Sequence, residues 1–352
     1  PRELWHTLMG ASGDDITPFA MTPLRFALYG PGLVARYHQV ALAATDGAEL
    51  TTVVHPDPTR HAALADAFGV PACTEGQVLA DPTIDAVILC TPSGQHAAQA
   101  LRAAQAGKHV LVEKPMALTR ADADAMIAAC DRAGVALGVV YQRRAVAPFT
   151  TLAEAVSLGD LGDPTLATVV LPYRRDQAYY DQAAWRGTWA HDGGGVLMNQ
   201  GIHLIDLLVW CFGDPVAVQA QGATLARAVE VEDTMVATLR FGSGALATVT
   251  ATTTADPGFA HRFEVYGTRG GVQIQGERVI ASSVEAVMVE PRAVGHPGAG
   301  GSAGGIEADG HIAVMHDFVE AIRTGRAPLM GGREGRRSLE VVLSIYEAAG
   351  LR

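Results

Sequence analysis

Leu24-Arg25-Phe26-Ala27-Leu28-Tyr29-Gly30-Pro31-Gly32-Leu33-Val34-Ala35 runs from an apolar, strand-like hexapeptide through a glycine turn into a segment of helical spacing. Glycines at 30 and 32 let backbone approach a pyrophosphate closely, and the helix opening behind them offers its unpaired N–H groups and positive end to the same anion. Ala35 stands where a small residue lets the helix pack against the strand. Gly30, Gly32, Leu33 and Ala35 are therefore candidate cofactor-binding positions. Working outward from this turn as far as Val140, short apolar runs alternate with Ala-rich segments of helical spacing, the pattern of βαβ units on a parallel sheet. Strands are expected at Leu24–Tyr29, Leu50–Val54, Ile84–Cys90, His109–Val112 and Val135–Val140, with helices near Leu33–Ala44, Thr59–Phe68, His96–Ala106 and Arg120–Ala133. Right-handed crossovers would make residues 22–143 a doubly wound, Rossmann-type α/β domain.

After Arg143 the texture changes. A helix is expected at Phe149–Leu158, a strand at Leu166–Leu171, a Tyr/Trp-rich loop, and one continuous helix from Gly195 to Cys211. Val216–Ala223, Thr234–Phe241, Ala245–Thr253, Phe263–Gly267 and Val272–Gln275 then read as an antiparallel sheet with hairpins. The Gly/Pro-rich stretch Val294–Gly305 reads as a loop, and helices at Ile312–Arg323 and Glu334–Ala349 close the chain. Residues 144–352 are thus expected to form an α+β domain with a large, mostly antiparallel sheet.

The size of the chain, 352 residues, favours two such domains over one. A formal charge of −11 argues against nucleic acid and anionic membrane as partners, because affinity for phosphate backbones needs clustered Lys and Arg. The four cysteines, Cys73, Cys90, Cys130 and Cys211, form no C-x-x-C pair and read as reduced core residues, and no metal-ligand set is read from the spacing. No apolar run reaches the length of a membrane span, and the acidic residues Glu3, Asp14 and Asp15 do not fit a signal peptide, so a cytoplasmic location is expected. Residues 1–21 read as an N-terminal extension or tag-like arm ahead of a plausible start at Met21.

The chemistry concentrates at four places. Glu113-Lys114-Pro115 ends the strand His109–Val112, which puts a lysine at the carboxyl edge of the sheet beside a nucleotide. A lysine whose pKa is pulled down from its usual ~10.4 exchanges protons with a substrate hydroxyl near neutral pH. At the tip of the second strand, where an acidic side chain would hold the adenosine ribose of NAD, the sequence has His55-Pro56-Asp57. His55 suits a 2′-hydroxyl when neutral and, with Arg60, a 2′-phosphate when charged, so both NAD and NADP stay open. Thr91-Pro92-Ser93-Gly94-Gln95-His96 follows the fourth expected strand at the same edge, which makes Thr91, Pro92 and His96 further cofactor candidates beside a bland reading as turn and helix cap.

Gly193-Gly194-Gly195-Val196-Leu197-Met198-Asn199-Gln200-Gly201-Ile202-His203-Leu204-Ile205-Asp206 is the fourth place. In a regular helix Asn199, His203 and Asp206 share one stripe, which suits proton transfer by the imidazole. Just upstream, Trp185, Arg186 and Tyr173 supply flat faces and donors for a sugar-like ligand, or equally well pack a domain interface.

Taken together, the run from Thr91 to His96, the stretch Ala106 to Pro115, the segment Gly193 to Asp206 and, more weakly, Ser338 to Val342 resemble the Gfo/Idh/MocA family of NAD(P)-dependent oxidoreductases. The resemblance implies a Rossmann domain followed by a substrate-binding and oligomerisation domain, a substrate lying between the two, C-terminal helices that can pack back on the first domain, and a homodimer or homotetramer. By motif position it implies that Lys114 shares protons with the substrate hydroxyl, that His203 is the acid/base, and that Glu113 and Lys114 border the cofactor. It places Asn199 where inositol dehydrogenases carry aspartate. An amide orients a hydroxyl without taking its proton, and its neutrality removes an anion that would raise the pKa of Lys114 or His203. The implied activity is hydride transfer between the nicotinamide of NAD or NADP and a hydroxyl-bearing carbon of a sugar, cyclitol or nucleotide-sugar. An NAD-dependent glycosidase using the same residues and a non-catalytic nucleotide-sensing regulator are the alternatives.

Overall fold

The computed structural model describes residues 22–288 and 308–352. The extension at residues 1–21 and the loop expected at Val294–Gly305 lie outside the described residues.

The first layer alternates β1 (Leu24–Tyr29), α1 (Leu33–Ala43), β2 (Ala48–Val54), α2 (His61–Phe68), β3 (Ala72–Cys73), α3 (Glu75–Ala80), β4 (Ala86–Leu89), α4 (His96–Gln105), β5 (His109–Val112), α5 (Arg120–Ala133) and β6 (Leu137–Val139). Its strands form one parallel sheet in the order β3-β2-β1-β4-β5-β6. The strand order reverses between β1 and β4, and in open α/β sheets the crevice outside the strand ends at such a point binds the ligand. β4 is buried at every position, as a strand covered by helices on both faces must be. The short β3 and α3 were not expected. Two residues of strand are too few to show a period, and α3 is a six-residue turn started by a Thr74–Gln77 capping box.

The second layer follows as α6 (Ala147–Leu158), β7 (Pro164–Pro172), α7 (Gln177–Asp181), a widened helical turn at Leu197–Gly201, α8 (Ile202–Phe212), β8 (Pro215–Ala223), β9 (Thr234–Phe241), β10 (Leu246–Thr252), β11 (Arg262–Gly267), β12 (Gly271–Gln275) and β13 (Arg278–Ser282). The seven strands lie in the order β13-β12-β11-β7-β10-β9-β8. All pair antiparallel except β7 with β10, whose parallel pairing the hairpin reading did not foresee. Strands in this sheet alternate as one-sided strands do: in β9, Met235, Ala237, Leu239 and Phe241 are buried while Val236 faces out.

The last two helices, α9 (Asp309–Thr324) and α10 (Gly332–Ala348), tie the layers together. Phe318 of α9 packs against Phe26 of β1, and Gly332 and Gly335 of α10 approach Leu137 and Val139 of β6 so closely that a Cβ on either would clash. On its other side α10 reaches α8, where Ser338 donates to Asp206. The two sheets thus share one continuous core that includes Phe26, Val112, Met198, Ile205, Phe263 and Tyr346.

Candidate active site

The glycine turn forms as its sequence requires. Gly30 has φ +75, a conformation that costs a residue with a side chain, and a Cβ there would lie 2.7 Å from the backbone of Cys90 and Thr91. Gly30 therefore lets the loops after β1 and β4 meet at the strand-order reversal. Gly32 precedes α1 with no side chain capping the helix, which leaves its first N–H groups accessible, and a Cβ there would meet the Gly30 carbonyl at an ordinary 3.9 Å. Leu33 is exposed and Ala35 is fully buried against the sheet. These features fit a dinucleotide whose pyrophosphate lies over the turn.

At the tip of β2, Arg60 Nη1 lies 3.1 Å from His55 Nε2, and Asp57 turns its carboxylate to the backbone and hydroxyl of Thr59. The residues after β4 are less free. Thr91 donates to Gln99 at 2.6 Å, and Pro92 opens the turn at Ser93–Gln95. His96 is buried, with Nδ1 2.9 Å from the Pro115 carbonyl and Nε2 2.8 Å from that of Thr91. Its ring ties the β4 loop to the β5 loop and presents no free nitrogen to the crevice. Glu113 also faces inward: Oε1 receives His38 Nε2 at 2.8 Å, and His311 Nε2 lies 3.8 Å away. These imidazoles hold its carboxyl well below the usual range against the opposing effect of burial. The ligand atoms of His38, Glu113 and His311 come within 4.8 Å of one another, a trio suited to a cation that residue spacing did not reveal.

Lys114 leaves this latch through a cis peptide bond to Pro115 and extends to the second layer, where Nζ donates to the Asn199 carbonyl at 2.7 Å. That carbonyl is available because the expected continuous helix is interrupted: Leu197–Gly201 is a π turn, which shifts carbonyls out of the α ladder. Glu232 sets up the turn by accepting from the Gly195 and Leu197 N–H groups at 2.9 and 3.0 Å, while Tyr346 Oη accepts from Met198 N–H. Any Cβ at 195 would meet the Glu232 carbonyl, so glycine is required there by close approach.

The π turn shifts Asn199 out of the regular helical register expected for it, while His203 and Asp206 keep theirs in α8. Asp206 is turned away from the crevice, bonded at 2.8 Å by both Nε and Nη2 of Arg144 and at 2.7 Å by Ser338. Asn199 is held by Asp192, whose Oδ1 accepts from Nδ2 at 2.9 Å. Asp192 is the residue that sequence reasoning missed. It supplies the anion whose loss at position 199 looked uncompensated, since it opposes the lowering of the Lys114 pKa. The only signal was an acid directly before the glycine run, in His191-Asp192-Gly193.

Burial, chiefly, and then the Arg143 and Arg175 guanidiniums pull the Lys114 pKa down, while Glu113 and Asp192 hold it up. Burial also pushes His203 well below the usual imidazole range, followed by the charges of Lys114 and Arg143. His203 is thus neutral at neutral pH. Its Nδ1 is buried without a hydrogen-bond partner among the described residues, and its ring packs edge-on to Tyr141. The structure therefore brings Lys114 and His203 into one electrostatic neighbourhood at the junction of the layers. Tyr173 is buried, its hydroxyl 2.9 Å from His261 Nδ1, and Arg186 lies over the rings of Trp185 and Tyr179 while donating to the Tyr179 hydroxyl.

Residues 24–141 match the family model for the oxidoreductase family with an NAD-binding Rossmann fold, and residues 149–273 match that for the GFO/IDH/MocA C-terminal domain. The chain belongs to the Gfo/Idh/MocA family. Among its relatives, myo-inositol 2-dehydrogenase of Thermotoga maritima is 28% identical over 90% of this chain and 93% of its own length. The 1,5-anhydro-D-fructose reductase of Ensifer adhaerens is 32% identical over 70% of this chain and 74% of its own. Among solved structures, the WlbA dehydrogenase of Bordetella pertussis, in complex with NADH and UDP-GlcNAcA, superposes with a TM-score of 0.84 at 35% identity, covering 95% of this chain and 97% of that one. This Gfo/Idh/MocA member is an NAD(P)-dependent oxidoreductase of the sugar and polyol dehydrogenase class. Among the described residues no helix is long and apolar enough to cross a membrane.

Proposed function

We propose that the protein moves a hydride between a nicotinamide and a carbinol carbon of a sugar, cyclitol or nucleotide-sugar, with Lys114 and His203 handling the hydroxyl proton. The observation that carries this reading is the bridge from Lys114 Nζ to the Asn199 carbonyl, which sets the lysine beside the helix that bears His203. Bound nicotinamide supplies the two-electron acceptor. Neutral His203 is able to accept the hydroxyl proton, and Lys114, its pKa lowered, stabilises the oxygen as negative charge grows and shares the proton. In this reading Asn199, clamped by Asp192, orients the substrate, with Trp185, Arg186 and Tyr173 as further substrate-binding candidates.

Gly30, Gly32, Leu33 and Ala35 form the pyrophosphate turn of this reading, with Thr91 and Pro92 alongside. Glu113 and His96 act by positioning Lys114 and the two loops. The Arg60–His55 pair, with Asp57 engaged by Thr59, supports use of NADP as well as NAD. Arg60→Ala should then lower the NADP-to-NAD ratio of kcat/KM, and a ratio unmoved by the change removes that part of the reading. Outward-facing Leu166, Val236 and Leu246 lie on the open face of the second sheet and support a homo-oligomer, which sedimentation velocity tests directly.

The decisive experiment is Lys114→Ala. Turnover of an oxidised sugar or polyol should fall by about 10²–10⁴, the usual worth of a proton-transfer group, while NADH binding measured by fluorescence persists. Wild-type turnover in that variant would refute the assignment.

A further inference from the structure

A molecule of net charge −11 concentrates cations around its crevice. Arg143 and Arg175 converge on Tyr173, Nη2 of the first 3.4 Å from its hydroxyl and the guanidinium of the second 5.8 Å from its ring centroid, and the charges of both reach Lys114. Neither arginine has a carboxylate partner among the described residues. Arg143 is held by neutral groups: Nη1 lies 2.6 Å from His261 Nε2, and Nη2 donates to the Tyr173 hydroxyl at 3.4 Å. His261 is fully buried, and burial together with Arg143 keeps its ring uncharged and able to accept. Arg175 donates to the Arg174 carbonyl and lies over the faces of Tyr173 and Tyr179, at 5.8 and 5.3 Å from the ring centroids. Aromatic faces and a neutral imidazole fix the direction of these guanidiniums without neutralising them. The acids nearby are already engaged: Glu113 by His38, and Asp192 by Asn199 and the Gly187 N–H.

Like charges gathered in a partly buried crevice raise its energy, and an anionic ligand relieves that cost. A planar guanidinium fork matches the paired oxygens of a carboxylate or phosphate better than it matches a neutral hydroxyl. We propose that the substrate carries an oxyanionic group, a carboxylate or phosphate, that is bound by Arg143 and Arg175 while its carbinol lies between Lys114 and His203. This rests on the dehydrogenase reading above and narrows its substrate class to acidic sugars: sugar acids, sugar phosphates or nucleotide-sugars.

The test pairs each anionic compound with its neutral counterpart: glucuronate with glucose, glucose 6-phosphate with glucose, and UDP-glucose with glucose, using NAD and NADP. The anionic member should be preferred by about tenfold or more in kcat/KM, expressed mainly in KM, as expected for charge-assisted hydrogen bonds. The pair showing the preference tells whether the anion is a carboxylate or a phosphate. Arg143→Gln and Arg175→Gln should each reduce the preference, and the double variant should abolish it, while NADH fluorescence shows the fold intact. Equal use of neutral and anionic sugars, or losses in the variants that fall alike on both, overturns the subsite and leaves the dehydrogenase reading standing. If no compound is oxidised, that reading fails. Calorimetric binding of glucuronate and glucose 6-phosphate to the NADH-loaded wild type and double variant then decides the subsite alone, with unchanged binding in the variant counting against it.

Discussion

Arg143 and Arg144 are neighbours in one short turn, Gln142–Ala145, and face two different worlds. Arg144 is buried with Asp206 at 2.8 Å and Glu334 at 3.3 Å, and Ser338 completes the set. Arg143, half-buried, has among the described residues a neutral imidazole and a phenol as its side-chain partners. One side of the turn joins the two layers through compensated charge, and the other keeps charge available to a ligand. A buried ion pair adds little net stability but is costly to break, whereas a cation left without a carboxylate costs stability and gains binding.

Breaking the compensated side should give the largest effect. Asp206→Asn removes the buried partner of the Arg144 guanidinium, leaving it only the half-exposed Glu334, and should cost about 3 kcal/mol in chemical denaturation. Arg143→Gln removes hydrogen bonds to neutral groups and should cost only about 1 kcal/mol. Similar losses for the two substitutions would erase the distinction between the faces.

Glu232 offers a third case: a buried carboxyl served by N–H groups and the Tyr346 hydroxyl, with no cation bonded to it among the described residues. Burial, the largest cause, pushes its pKa up to about 7 from 4.5, although those hydrogen bonds oppose the rise. The folded state thus holds this proton more tightly than the unfolded chain. The contribution to stability is fully present below the unfolded value and is lost as pH rises through about 7, amounting to at most about 3 kcal/mol. Glu232→Gln should flatten that part of the stability profile, seen as a smaller fall in Tm between about pH 5 and 8 than in the wild type. An unchanged slope would show that the carboxyl is not the group responsible.

The smallest expected effect concerns the acid on the crevice side. Asp192 favours the charged form of Lys114, so Asp192→Asn should move the acidic limb of the pH profile for alcohol oxidation to lower pH. The shift should appear in kcat/KM with NADH affinity retained. A shift to higher pH, or none, would separate Asp192 from the lysine.

The two halves of the site differed in how much could be read ahead of the structure. The proposed cofactor side is built from backbone: the positive φ of Gly30 and the uncapped N–H groups at the start of α1 are properties of residue type in order along the chain. The substrate side is built from side chains that meet across long separations. Asn199 with Lys114, Arg143 with His261 and Gly195 with Glu232 lie 85, 118 and 37 residues apart. Regular helical spacing misled at Asn199, because a π turn stabilised by distant acceptors leaves no periodic mark in its own sequence.

The family, the doubly wound first layer and the glycine turn were legible in residue order alone, and Lys114 and His203 were named there as candidates, because each follows from local residue type and spacing. Only the tertiary structure decided that Asp192 restores the missing anion, that His96 and Glu113 turn inward, and that two adjacent arginines serve opposite purposes. The physical reason is that pKa and partnership depend on burial and on charges close in space, and those are fixed only when distant segments pack together.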